Sequence, residues 1–236
     1  MPAKTQPLRE MIARARAAAG NVLSEHDAKR SLATYGIPIV QEELAEDAAS
    51  AVAAAERLGY PVVVKACAPS LAHKSDRGLV FLNAGDARAV EAAASAIAQA
   101  ARGTPLQGYL IQRMVQGKRE VIVGGARDPL FGPCVMLGVG GILVEAVGDV
   151  AFRLAPVDER DALEMMAELR ARRIFDAFRG EPPVNRKTLA KTLSAVGQVL
   201  LDHAEIAQVD INPLIIEGAE PVAVDALITL REQRMP

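Results

Sequence analysis

The stretch Ala207–Ile228, AQVDINPLIIEGAEPVAVDALI, decides the fold class. Side chains alternate faces along a strand. A strand over Gln208–Ile216 therefore turns Val209 and Ile211 toward a core and sets Asp210, Asn212 and Leu214 on the other face. Gly218-Ala219 reads as a two-residue turn with glycine in the first central place, as type II′ prefers. A second strand over Val222–Ile228 then returns antiparallel. Facing positions sum to a constant in such a hairpin, and Asn212 falls opposite Asp225. An oxygen from each strand, with Asp210 beside them, makes a candidate Mg²⁺ seat, because magnesium is commonly held by one or two carboxylates plus phosphate oxygens and water. The plainer reading is a hairpin whose polar face meets solvent. Pro213 and Pro221 lack ladder donors and weaken the register.

Working outward, strand and helix signals alternate. Residues 4–19 suit an Ala/Arg helix or tail ending at Gly20. Ser24-Glu25-His26-Asp27 suits a capping box opening a helix that stops at Gly36. His26, in that first turn, reads as a solvated surface histidine. Strands are expected at Ile37–Gln41, Pro61–Ala66, Leu79–Asn83, Gly108–Met114, Arg119–Gly125, Pro133–Gly138 and Val150–Leu154. Helices are expected at Asp47–Leu58, Ala87–Arg102, 159–169 (after a box at Asp158–Asp161) and 186–203. Late hairpins with helices throughout predict an α+β fold rather than a doubly wound sheet. The expected division is a terminal helix or tail over 1–21, a smaller lobe over 22–111 and a larger lobe over 112–236.

Composition narrows the class. Among 236 residues, 27 Lys+Arg balance 29 Asp+Glu, and half are hydrophobic. Such a chain folds, and without a basic excess it is suited to neither nucleic acid nor an anionic membrane. Cys67 and Cys134 have no metal-ligand spacing and sit in apolar runs, so both read as buried reduced thiols. No apolar run reaches the roughly 18 residues of a membrane span, and no signal sequence is evident. A cytoplasmic protein is expected.

Three places could carry chemistry. Lys65 stands near the end of the apolar strand PVVVKA. Either it has an anionic partner or its ammonium snorkels to water. The loop Ala68–Leu79 gathers His73, Lys74, Ser75, Asp76, Arg77 and Gly78. It is either a polar surface loop or a phosphate cradle with an imidazole able to act as nucleophile. Gly138-Val139-Gly140-Gly141 is no dinucleotide fingerprint, since Leu143 takes the final glycine position, but its amides could cradle an anion. His203, ending an apolar helix, reads as structural.

Together, residues 60–78 (YPVVVKACAPSLAHKSDRG), residues 110–156 (LIQRMVQGKREVIVGGARDPLFGPCVMLGVGGILVEAVGDVAFRLAP) and residues 207–228 resemble the ATP-grasp domain of ADP-forming acyl-CoA synthetases. This domain forms the β subunit of ADP-forming acetate–CoA ligases, relatives of succinyl-CoA synthetase. The resemblance implies two lobes clasping ATP between antiparallel sheets. It implies that Lys65, with Lys74 and Ser75, meets the nucleotide phosphates. Gln112, Met114 and Val115 would line the adenine site, partly through backbone groups, and Glu120 would lie near adenine or ribose. Asn212 and Asp225 would hold Mg²⁺ with Asp210 in support, and Arg153 with Gly140 and Gly141 would face the phosphates. His73, in the His-Lys-Ser-Asp motif, would carry phosphate between the nucleotide and a separate CoA-binding α subunit, in an αβ hetero-oligomer. ATP or ADP and Mg²⁺ are the implied cofactors. Gly78 is followed by Leu79 where the family usually has a second glycine, which bears on how closely that loop approaches phosphate. The competing expectations are a stand-alone ATP-grasp carboxylate–amine ligase and a nucleotide-binding regulatory subunit without turnover.

Overall fold

The computed structural model describes residues 2–18, 20–69, 71, 77–140, 148–177 and 180–232. The chain forms two compact units: Ser24–His26 with Val40–Met114, and Met1–Leu23 with Asp27–Ile39 and Val115–Pro236. The second break follows Met114, three residues beyond the expected one. The N-terminal segment is a helix, α1 (Pro2–Ala17), followed by α2 (Glu25–Thr34). It is no independent tail, because Leu8, Met11, Ile12, Leu23, Ala28 and Leu32 all join the core of the larger unit.

In the smaller unit, β1 (Glu42–Ala45), α3 (Ala48–Leu58), β2 (Val62–Cys67), β3 (Val80–Ala84), α4 (Ala87–Ala100) and β4 (Gly108–Arg113) follow in sequence. The strands form an antiparallel sheet in the order β1-β4-β2-β3. Asp47 and Ser50 cap α3 reciprocally, with Ser50 N–H donating to Asp47 Oδ1 at 2.7 Å, and Gly59 closes it at φ +83°, a conformation open to glycine. β2 is a central strand and all six residues are buried, as its nearly unbroken apolar run predicts. The strand expected at Ile37–Gln41 lies instead at Glu42–Ala45. It is a short polar edge strand, whose pairing with β4 leaves no apolar alternation to read.

The larger unit adds β5 (Arg119–Asp128), β6 (Gly132–Val139), β7 (Val150–Leu154), α5 (Glu159–Glu168), a 3₁₀ turn (Arg172–Phe175), α6 (Arg186–Asp202), β8 (Ile206–Glu217), β9 (Glu220–Ala223) and β10 (Leu227–Leu230). The sheet runs β10-β8-β5-β6-β7, with β9 also pairing β8. Its core face carries Val121, Val123, Val135, Leu137, Val209 and Ile211, which pack with Met165 and Met166 of α5 and with Leu193, Val196 and Leu200 of α6. Gly125 is glycine because α6 leaves no room: a Cβ there would lie 2.7 Å from Val196 Cγ1 and 2.9 Å from Leu200 Cδ1. The final strand expected at Val222–Ile228 is two strands, interrupted over residues 224–226.

Arg119, at the start of β5, is only 5% exposed. Its guanidinium donates to four backbone carbonyls: Ile174 and Asp176 at 3.2 Å, Pro182 at 2.8 Å and Gly218 at 2.7 Å. The planar fork thus fastens the 3₁₀ turn, the chain after it and the β8–β9 turn to one strand. Replacing it by Met strands those carbonyls away from a donor, and stability in urea unfolding should fall by about 3 kcal/mol or more. Arg119→Lys should recover little, since one ammonium cannot reproduce the fork.

Candidate nucleotide and metal site

In the larger unit the site grows from β8. Leu214 pairs Ala223 of β9, and Asp210 pairs Leu227 of β10. Both pairs belong to one register, so Asn212 and Asp225 face each other across the interruption between β9 and β10. Toward β5 the register slips: Val121 pairs Leu214 but Val123 pairs Ile211, so Asn212 and Pro213 together oppose Ile122. This bulge corrects one sequence expectation. Leu214 does not share a face with Asp210 and Asn212 but turns into the core, fully buried, with Ile216 following it.

Asp210 is half-buried, paired with Gly124 on the sheet face turned away from the core. Burial, and secondarily the negative charge of Asp225, push its carboxyl above the ordinary aspartate range. A divalent cation between the two carboxylates would remove that repulsion, and Asn212, exposed beside them, adds a neutral oxygen. Two carboxylates and an amide are a hard, oxygen-only set suited to Mg²⁺. Among the described residues, no group of three His, Cys, Asp or Glu could hold a metal.

Glu120 projects from the same face of β5 as Gly124, four residues or about 13 Å along the strand. Gly140 N–H donates to Glu120 O at 2.7 Å, and a Cβ at Gly140 would lie 2.7 Å from Glu120 Cβ. That amide donates to the backbone, and Gly140 is required by its contact with β5. Arg153 is engaged within the same unit. It pairs Val135, whose side chain is in the core, and its guanidinium grips Glu168 of α5, with Glu164 3.6 Å away. Strand alternation puts Arg153 on the helix-covered face, opposite to Asp210. Val115 is buried. Gly141 lies outside the described residues.

In the smaller unit the candidates come from adjacent strands. Lys65 is 6% exposed, and its Nζ donates to Glu25 Oε1 at 2.8 Å. The buried ammonium therefore has an internal anion rather than a route to water. Gln112 Nε2 donates to the same Glu25 oxygen at 2.9 Å and to Glu42 Oε2 at 3.0 Å. His26 Nδ1 lies 2.9 Å from Glu42 Oε1. His26 is not a solvated surface residue but the far end of this network. Glu25 and Glu42 escaped sequence analysis because one reads as part of a cap and the other belongs to a strand without alternation. Met114 N–H donates to Pro61 O at 3.2 Å. His73, Lys74 and Ser75 lie outside the described residues.

Other expectations concern single residues. His203 is buried beside the Tyr35 hydroxyl at 3.0 Å, and burial lowers its pKa, in keeping with a structural role. Cys67 is buried, Cys134 only half-buried, and both are free thiols. Among the described residues, no helix is long and apolar enough to cross a membrane.

Residues 14–230 match the ATP-grasp domain, and the chain belongs to that family. Within it, the chain is similar to the β subunit of ADP-forming acetate–CoA ligase I of Pyrococcus furiosus, with 43% identity over 94% of this chain and 97% of the relative. It is 39% identical to acetate–CoA ligase [ADP-forming] I of Archaeoglobus fulgidus, covering 86% of this chain but 30% of that longer one. Among solved structures it resembles acetyl-coenzyme A synthetase 1 of Ca. Korarchaeum cryptofilum. In complex with coenzyme A and Ca-AMPCP, that chain matches with TM-score 0.90 and 36% identity, covering 94% of this chain and 99% of the other. A second form of the same enzyme holds Mg-AMPPCP, with its phosphohistidine segment pointing towards the nucleotide binding site. It matches with TM-score 0.83 and 36% identity, over the same 94% and 99%.

The sign of the Asp210 shift gives a test. Its folded-state pKa is raised, so folding favours the protonated acid. The stability this group supplies is present below the unfolded pKa and lost as pH rises through the folded value. Asp210→Asn should therefore raise the thermal midpoint of the metal-free protein at pH 7. The gain should shrink as pH falls toward the ordinary aspartate value of about 3.9.

Proposed function

We propose that this chain is the nucleotide-binding β subunit of an ADP-forming acyl-CoA synthetase, an acid–thiol ligase active only with a CoA-binding α subunit. The reaction is carboxylate, CoA and ATP to acyl-CoA, ADP and phosphate, run reversibly. The Asp210–Asp225 pair, with Asn212 placed opposite Asp225 by the register that β9 and β10 share on either side of the interruption, supports this reading from the chain's own residues. Relatives of this length are named as β subunits, and in the longer Archaeoglobus fulgidus relative the matching segment is 30% of the polypeptide. A remainder of that kind is what an α subunit would supply, and αβ hetero-oligomerisation follows. A cytoplasmic location fits the two free thiols.

In this reading Asp210, Asn212 and Asp225 hold Mg²⁺, which when bound neutralises phosphate charge. Lys65, Lys74 and Ser75 take the phosphates, while the segment from Gln112 to Val115, with Glu120, takes the adenosine end. His73 acts as nucleophile: its imidazole nitrogen bonds to the γ-phosphorus as the bond from that phosphorus to the β–γ bridging oxygen breaks, releasing ADP. The phosphoryl group then passes to the partner's acyl site. Such relays are needed because in-line transfer demands close approach of donor and acceptor.

Incubation with γ-labelled Mg-ATP, with and without the α subunit, tests this. Acid-labile, base-stable label should appear on His73. His73→Ala should keep Mg-ATP binding yet lose ligase turnover in the reconstituted complex. A fully active His73→Ala variant, or amine ligation by the chain alone, overturns the proposal.

A further inference from the structure

We propose that Glu25 is a positioning residue for nucleotide phosphate, acting through Lys65; this rests on the reading of Lys65 as a phosphate ligand. One buried carboxylate oxygen, Glu25 Oε1, receives both Lys65 Nζ at 2.8 Å and Gln112 Nε2 at 2.9 Å. The Glu25 side chain is 2% exposed and that of Lys65 7%. Lys65 is on β2 and Gln112 on its neighbour β4, where Gln112 pairs Val63. Glu25 comes from the first turn of α2, a part of the chain remote in sequence from both.

The physical consequence concerns the charge of the lysine. An ammonium buried among apolar neighbours loses hydration and tends to give up its proton unless an anion compensates it. Val63 and Cys67, which share its face of the fully buried strand, and Leu110, its partner on β4, are the buried apolar neighbours of Lys65. Glu25 supplies the compensation and fixes where the ammonium points. A lysine kept charged and aimed is a phosphate ligand, whereas a neutral or wandering one is not. Gln112 shares the same oxygen and is bound on its other side by Glu42, itself 2.9 Å from His26. This limits the freedom of the carboxylate to follow the lysine elsewhere. A network that only holds the smaller unit together predicts something different: loss of Glu25 would weaken every ligand of the unit alike.

The experiment measures affinity of the full chain for Mg-ATP and for adenosine, which lacks phosphate. Glu25→Gln should weaken Mg-ATP binding by about tenfold or more while adenosine binding stays within about twofold. Glu25→Asp, which keeps the charge, should recover part of the loss. In a Lys65→Met background, Glu25→Gln should cause no further change, because Glu25 acts through that lysine. If Glu25→Gln does not fold, Glu25→Asp carries the test with a smaller loss confined to Mg-ATP. Equal losses for ATP and adenosine, unchanged ATP affinity or tighter ATP binding overturn the assignment. A wild-type chain that binds no Mg-ATP overturns the nucleotide reading as well, whereas wild-type binding with an indifferent Glu25→Gln overturns this inference alone.

Discussion

The β8 strand has to satisfy two incompatible demands, and the bulge at Asn212–Pro213 reconciles them. A strand in the middle of a half-buried sheet must send its apolar side chains to one face, and slipping by one residue reverses every one of them. Without a bulge, the parity that buries Val209 and Ile211 would send Leu214 and Ile216 to the open face with Asp210 and Asn212. Each such side chain is worth about 1.5–3 kcal/mol when buried, so the core would lose two anchors. With two residues opposing Ile122, the alternation is reset and all four side chains are buried. The acidic and amide groups stay on the open face, where charge can be used. The segment beyond β9 makes the same adjustment: Ala223 and Ala226 are both buried, and Asp225 is left half-buried between them.

This explains what could be read from the sequence and what could not. The facing of Asn212 and Asp225 depends only on a two-residue turn and a shared register, and Gly218 at φ +61° supplies that turn. The face of Leu214 depends on the neighbouring strand β5, which lies far away in sequence, so no local pattern carries it. Helices with side-chain caps, at Asp47 and Asp158, were legible because a cap is a contact over three residues. The β2 strand was legible because burial on both faces leaves an unbroken apolar run. By contrast, β1 holds Glu42 and Glu43 in a four-residue edge strand, and its position is set by β4 rather than by its own composition.

Arg153 and Gly140 share a reason for their engagement within the larger unit. Arg153 and Gly140 carry the right chemistry for phosphate, a guanidinium and an unshielded amide, but sequence does not say which partner takes them. Arg153 meets Glu168 because strand parity aims it at α5. Gly140 donates to Glu120 because β6 continues alongside β5 past their last named pair, Val121 with Val139. Both groups are consumed in holding the larger sheet to its surroundings. Their glycine and arginine identities are thus accounted for by packing, with no ligand required.

Lys65 shows the reverse situation. Packing alone does not call for a lysine in β2, because an apolar residue of similar volume would fill the strand without desolvating a charge. Replacing a buried ion pair by apolar residues is often neutral or stabilising, so the Lys65–Glu25 pair is a poor investment if stability is its whole purpose. It also draws in Gln112, Glu42 and His26, all of which must be placed within hydrogen-bond distance for the pair to be tolerated. A network with that requirement fits a residue whose charge is needed in place before its ligand arrives, because preorganised charge does its work in binding without a further reorganisation step. The larger unit keeps two carboxylates in mutual repulsion, and the smaller one keeps a cation buried. In each, the fold tolerates a locally unfavourable charge of the sign opposite to what it is read as binding: carboxylates for a metal cation, an ammonium for phosphate.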